Sequence, residues 1–300
     1  MLLEEEIGGE TNGIYLSATA YVLVSIRRAE ERKRPDIKPG EELVKQMIDS
    51  ISESSALLLL ATDRRQEFSL SAHSINVAIL SLRLAQTLKY DLQKQVRVGI
   101  AALLHEIGVV LLPKGMIYQT GQVSPQVRQR PAYGAKLLQE LCPEYDWLAE
   151  TVGQVYERED GSGSPLGLEG ESIREEAKIL GVVDVFEACI HDRPYRKAST
   201  GYQLLHELIR GETKSFSEQI VKALIASFSL YPYNEYVVLN TRELGQVVAV
   251  NAENLSRPVI KILYDRKGRL LDEPRETDLA QNSSLFITKA IPYHELPRAG

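Results

Sequence analysis

Val98-Gly-Ile-Ala-Ala-Leu-Leu-His105-Glu106-Ile107-Gly108 lies inside the most apolar window of the chain, which runs from Val98 to Leu112. Its composition is that of a buried helix, expected from Leu92 to about Ile107 and stopped by Gly108. A histidine and a glutamate at the end of such a helix are costly unless paired or metal-bound. Two other apolar segments carry groups of the same kind. His73 stands in the first turn of a helix that Ser69 or Ser71 can cap and that runs through Leu88, apolar nearly all round. Asp184 interrupts the run Ile179-Leu-Gly-Val-Val-Asp-Val-Phe. Taken singly, each reads as a satisfied core group. Together, two histidines and two carboxylates on three buried helices suit a divalent cation.

Outward from these helices the chain divides into three. Residues 1–68 are expected to hold a turn-rich opening, a basic cluster from Arg27 to Arg34 that reads as a solvated face, and a break at Pro39-Gly40. A helical stretch follows from Glu41 through the apolar run Leu57 to Leu60. Residues 69–229 read as a helical domain, with further helices over 131–141, 147–156, 172–190, 201–210 and 217–228 and a Gly- and Pro-rich loop over 157–171. In residues 230–300 the period changes. Tyr236-Val-Val-Leu, Gln246-Val-Val-Ala-Val and Val259-Ile-Lys-Ile-Leu-Tyr, with turn signals at Asn240, Gly245 and Asp265–Gly268, predict three or four strands in a small antiparallel sheet or barrel. The fold class is mainly α: a helical bundle with a small C-terminal β-rich domain.

Composition narrows the function. With 44% hydrophobic and 25% charged residues in 300, collagen-like, low-complexity and disordered classes are excluded. The net charge of −6, from 41 acidic and 35 basic residues, argues against broad nucleic-acid coating but leaves room for a basic pocket for a small phosphorylated ligand. In the tail, Lys261, Arg266, Lys267 and Arg269 have Asp265, Asp272 and Glu273 as neighbours, so no nucleic-acid partner is expected. No apolar run is long enough to cross a bilayer, and the start MLLEEEIGGE is acidic where a signal peptide is basic. Cys142 and Cys189 lie far apart with no CxxC, which supports neither a zinc knuckle nor a disulfide framework. A reduced, cytoplasmic protein without a membrane partner is expected.

Several segments carry a resemblance. Ala101-Ala-Leu-Leu-His-Glu-Ile-Gly resembles the ALLHDIGK signature of HD-domain phosphohydrolases, and His73-Ser-Ile-Asn-Val-Ala is similar to that family's upstream histidine segment. Glu157-Arg-Glu-Asp-Gly-Ser-Gly-Ser-Pro-Leu-Gly-Leu resembles the HHExxDGSGYPxGL loop of the HD-GYP subfamily. Asp184-Val-Phe-Glu-Ala, then Asp192-Arg-Pro-Tyr-Arg-Lys-Ala, is similar to its DVFDAxxxDRPYRKA block. The likeness covers about residues 57 to 229 in order, and the β-rich tail resembles one appended in some members. It implies an HD-domain helical bundle holding a two- or three-metal cluster, often iron, that hydrolyses the bacterial second messenger cyclic di-GMP.

Position by position the match is partial. His73, His105 and Asp184 align with metal ligands, and Glu106 replaces the HD aspartate with one more methylene. Val109 stands where the family has a lysine expected to help hold phosphate. Arg130 stands at a ligand histidine, Val155 and Tyr156 at the paired histidines before the loop, and Ser164 at the GYP tyrosine. Valine cannot bind a metal, and arginine is always protonated with no lone pair to give. Pointing inward, Arg130 discourages a second metal or substitutes for it; pointing outward, it is a surface group. Arg193, Arg196 and Lys197 are candidates for phosphate contact or for salt bridges to Glu157, Asp160 or Asp184. His191-Asp192 is a literal HD dipeptide outside the ligand positions, and His206 and His294 read as surface residues.

The resemblance then implies a degenerate HD-GYP-like signalling protein, catalytically weak or inactive. It would work through protein partners or cyclic-dinucleotide sensing, with no metal or one divalent ion (Fe, Mn or another), and a homodimer is among the candidate assemblies. The alternative is an active phosphohydrolase using a reduced one-metal H…HE…D site.

Overall fold

The computed structural model describes residues 9–113, 116, 125–193, 196–210, 214–251 and 253–297. The acidic start over residues 1–8 and the Pro194-Tyr195 pair of the DRPYR segment lie outside them. Eleven α-helices come first among the described residues: α1 (Gly9–Glu30), α2 (Ile37–Glu53), α3 (Ala56–Ala61), α4 (Leu70–Thr87), α5 (Leu92–Leu104), α6 (Pro125–Arg128), α7 (Arg130–Leu141), α8 (Asp146–Gly153), α9 (Glu175–Ile190), α10 (Gly201–Arg210) and α11 (Glu218–Phe228). Five strands follow: β1 (Tyr236–Leu239), β2 (Leu244–Ala249), β3 (Val259–Tyr264), β4 (Leu270–Asp278) and β5 (Ile287–Ile291).

Helix α4 is the axis of the bundle. Its apolar residues do not fall on one stripe, and the structure buries Ile75, Val77, Ile79, Leu80, Leu82 and Leu84 completely, with α1, α2, α3, α5, α9 and α11 around it. Ser69 caps its start by accepting from the Ala72 amide, and Asp91 caps α5 through the Lys94 amide. One continuous apolar core runs from Ala18 in α1 to Tyr233, just before the sheet.

Three expectations for the first third need correction. The opening is not turn-rich: α1 is 22 residues long. Its inward face is small, with Ala18, Val22, Ser25 and Ala29 buried, so it gives little apolar periodicity to read and is held by packing on the bundle. Pro39-Gly40 does not break the chain but lies in the first turn of α2, where proline costs no hydrogen bond. The stretch from Glu41 to Leu60 is two helices, parted at Ser54-Ser55. The basic cluster is a solvated face, with ion pairs Arg32–Glu140 and Arg34–Glu144 at the surface.

The sheet is antiparallel throughout, in the order β4-β3-β2-β1-β5. Val237, Leu239, Val247, Ile260, Ile262 and Leu279 form its core. Gly245, expected as a turn, lies inside β2, because a Cβ there would come 2.4 Å from Ile260 Cγ2. A buried pair joins sheet and bundle: Arg64 Nη2 lies 2.5 Å from Glu235 Oε2. Asn234 adds a hydrogen bond to the Leu59 carbonyl at 2.8 Å.

Candidate metal centre

Helices α4, α5 and α9 bring the polar interruptions of three apolar segments to one place. His73 projects from the first turn of α4, His105 ends α5, and Asp184 lies midway along α9. Ligand-capable atoms of these three lie within 4.8 Å of one another. The two imidazoles meet edge to face, with centroids 5.2 Å apart.

Hydrogen bonding sets the state of each group. His105 Nδ1 is 2.6 Å from the Ala102 carbonyl, so Nδ1 carries the proton. Among the described residues its buried Nε2 has no hydrogen-bond partner, and burial holds the ring's pKa below the usual value. A neutral imidazole with a free, inward lone pair is what a metal site requires. His73 has acceptors on both sides, Glu187 Oε2 at 2.7 Å from Nδ1 and Asp184 Oδ1 at 2.9 Å from Nε2. Burial works against its charge, but the Glu187 and Asp184 carboxylates prevail and raise its pKa to about 9. For Nε2 to face a cation, that proton has to leave. Glu187 is buried and Asp184 half-buried, which opposes ionisation, yet His73 holds both carboxyls well below their ordinary range.

Arg130 points inward. Its Nη1 donates to both oxygens of Glu106 at 2.7 Å, its Nη2 to the Tyr156 hydroxyl at 2.5 Å, and its Nε to the Val127 carbonyl at 3.2 Å. Glu106 is 3% exposed. It lies 3.7 and 3.8 Å from the Nε2 atoms of His73 and His105, so the arginine occupies a carboxylate that faces the histidines. Gly108 permits this approach: a Cβ there would meet the Arg130 carbonyl oxygen at 2.1 Å, so only glycine lets α7 start against the turn that carries Glu106.

The other positions divide clearly. Val109 is half-buried in the 3-10 turn Ile107–Leu111, Val155 is core, and burial pushes the Tyr156 phenol pKa up, so it stays protonated. The Ser164 amide donates to the Tyr156 carbonyl at 3.0 Å. The expected ion pairs of the Arg193 segment are corrected. Arg193 pairs at 2.5 Å with Glu187, Lys197 with Asp192, and Arg196 donates to the carbonyls of Ala188 and Lys197. Asp160 accepts from Ser162 and Ser215, and Glu157 accepts the Leu166 and Leu168 amides at 2.7 and 2.9 Å, pinning the loop.

Glu187 was not foreseen. It anchors His73, Arg193 and His191, whose Nδ1 lies 3.1 Å from Glu187 Oε1, and it accepts from Asn76 at 3.2 Å. Its signal was the spacing Asp184–Glu187, two carboxylates three apart and hence on one face of an apolar helix. His191 is buried but outside the ligand-capable group; His206 stacks on Tyr202 and His294 is exposed.

An HD-domain family profile matches residues 46–219, more than half of the chain, and includes α4, α5, α7 and α9. The chain belongs to the HD-domain family. A second profile, for the KOW domain associated with HD domains, matches residues 236–299, the sheet. Among relatives of this HD-domain protein, a cyclic di-GMP phosphodiesterase of Pseudomonas aeruginosa is 26% identical over 269 residues, covering 88% of this chain and 65% of that protein. A cyclic di-GMP phosphodiesterase of Borreliella burgdorferi is 25% identical over 236 residues, 75% and 60% of the two chains. A 3'3'-cGAMP-specific phosphodiesterase of Vibrio cholerae is 28% identical over 152 residues, 50% of this chain and 35% of that one. The chain thus spans less than two thirds of the length of these relatives. A solved "HDG"Y"P" protein of Bdellovibrio bacteriovorus shares the fold, with a TM-score of 0.58 and 19% identity over 71% of this chain and 70% of that one. The HD-GYP-like resemblance and the mainly α fold with a β-rich C-terminal unit are borne out. No helix among the described residues is long and apolar enough to cross a membrane.

HD domains are metal-dependent, and the donor set here is of a kind that can hold a metal ion. The unpartnered, buried His105 Nε2 faces Asp184 and His73 within ligand reach, and all three are ligands that suit imidazole- and carboxylate-binding metals.

Proposed function

We propose that this HD-domain protein serves cyclic-dinucleotide signalling in the bacterial cytoplasm with a metal site reduced to at most one ion, and that it turns over cyclic di-GMP weakly or not at all. The observation that carries this reading is the Arg130 clamp on Glu106. A guanidinium beside the metal-facing carboxylate supplies the positive charge a second ion would bring, and at about 4 Å with an effective dielectric near 20 it repels a divalent ion by roughly 8 kcal/mol. Val155 and Tyr156 add no ligand on the same side, and Val109 gives no cation for a phosphate.

The rest of the pocket balances itself. The carboxylates of Glu106, Asp184 and Glu187 face Arg130, His73 and Arg193, so the charges are compensated within the chain. His73, His105 and Asp184 are the residues to hold a single divalent ion, which when bound supplies Lewis-acid activation of water and phosphoryl oxygen. The loop pinned by Glu157 keeps its shape without catalytic side chains, which suits binding of a nucleotide or a signalling protein rather than hydrolysis.

A second reading, a one-metal phosphohydrolase, is favoured by the free lone pair of His105 Nε2. Metal analysis together with cyclic di-GMP turnover by the parent and by His105→Ala separates the two. Turnover equal in both supports the proposal; robust hydrolysis that vanishes in His105→Ala overturns it and establishes the second reading.

A further inference from the structure

Helix α1 turns a second face to solvent, opposite the one it packs on the bundle. Gly9, Gly13, Leu16, Ala20, Leu23 and Arg27 recur at alternating intervals of four and three, the heptad spacing of a helix with a helical partner. Leu16 is 67% exposed, Leu23 53% and neighbouring Val24 54%, a density of large apolar groups that a solvated helix face does not carry.

The glycines on this stripe are a separate observation. Gly13 lies inside the helix, where glycine costs about 1 kcal/mol against alanine, and Gly9 is its first residue. Elsewhere in the bundle, glycines such as Gly99 and Gly108 admit a neighbour where a Cβ would collide, but a Cβ at Gly9 or Gly13 would meet nothing within 4 Å. Among the described residues no neighbour accounts for the missing side chains, whereas a closely approaching outside helix does.

Charge and size name that helix. The helix is acidic in its first turn, with Glu10 beside the stripe, and basic in its last turn, where Arg27 on the stripe is 3.5 Å from the exposed Glu31. A second copy running parallel would set Glu10 against Glu10, arginine against arginine, and glycine against glycine with a void between. Run antiparallel with Leu16 opposite Ala20, it sets Leu23 in the space above Gly13 and Arg27 beside Gly9 and Glu10. Large then meets small along the contact, Glu10 comes near Arg27 at each end, and the two helix dipoles oppose. We propose that α1 is the interface of a two-fold homodimer in which this stripe packs antiparallel on its own copy. Such a pairing is isologous and closes at two chains.

Sedimentation and light scattering of the full chain test it. The parent is expected as a dimer, and the double variant Leu16→Glu/Leu23→Glu as a folded monomer of half the mass. Gly13→Gln, a change without steric cost in one chain, is expected to weaken the dimer as well. A chain carrying Gly13→Cys and Leu23→Cys should oxidise to an intersubunit disulfide between positions 13 and 23 of different copies. A monomeric parent, an undisturbed dimer in the double glutamate variant, or a 13-to-13 disulfide peptide would each overturn the proposal.

Discussion

Replacing Arg130 with methionine removes the guanidinium but keeps most of the volume, and leaves Glu106, a carboxylate 3% exposed, without the two hydrogen bonds that Arg130 gives it. Breaking a buried pair from one side costs about 3–5 kcal/mol, because the remaining charge has lost its compensation. Two features put this site at the lower end. The Arg130 side chain is 17% exposed, so water can reach the space it leaves, and the charged His73 ring stands 3.7 Å from Glu106. A loss of about 3 kcal/mol in a chain of this size lowers Tm by roughly 6–12 °C. Differential scanning calorimetry of metal-free protein measures it. The double variant Arg130→Met/Glu106→Gln deletes the orphaned charge and should recover more than half of the loss. If Arg130→Met melts within about a degree of the parent, Glu106 is not compensated by Arg130 and the account of the clamp is wrong.

Three further outcomes follow from the same geometry. Protein purified without added metal should hold no more than one ion per chain, and Arg130→His should raise that content because it exchanges a cation for a ligand; two or more tightly bound ions in the parent would sink the reduced-site reading. Addition of chelator to the parent should leave cyclic di-GMP turnover at the level of His105→Ala, and a large chelator-sensitive rate would contradict it. Glu157→Gln should free the loop, since the amide has one oxygen for the Leu166 and Leu168 donors that the carboxylate now shares between two. The cost is about 1–3 kcal/mol of local stability, seen as faster amide exchange at those two residues; unchanged exchange would show that the loop holds itself.

What could be read along the chain was whatever depends on periodicity and order. The apolar segments around His73, His105 and Asp184 announced buried helices, and ionisable groups within them announced a shared site, because burial makes a lone charge expensive wherever the helices end up. Helix α10 was read to the residue, and the switch to strands after residue 230 showed in the β-branched runs. Helix α1 was missed for the converse reason. Its inward residues are small and its outward face is apolar, so no single stripe stands out, and its helicity rests on contacts with elements far along the chain.

The state of the site belonged to the tertiary structure alone. Arg130 had two directions open until Gly108 let α7 start against the turn of Glu106, which is a matter of backbone approach between residues 22 apart in sequence. Arg193 and Glu187 entered the pocket for the same kind of reason, as does the proton on His73, which depends on two carboxylates of a helix more than a hundred residues away. A side chain's identity states which charges and lone pairs it can offer; only packing decides toward what they point, and so whether the positive charge at this carboxylate comes from a metal or from the chain itself.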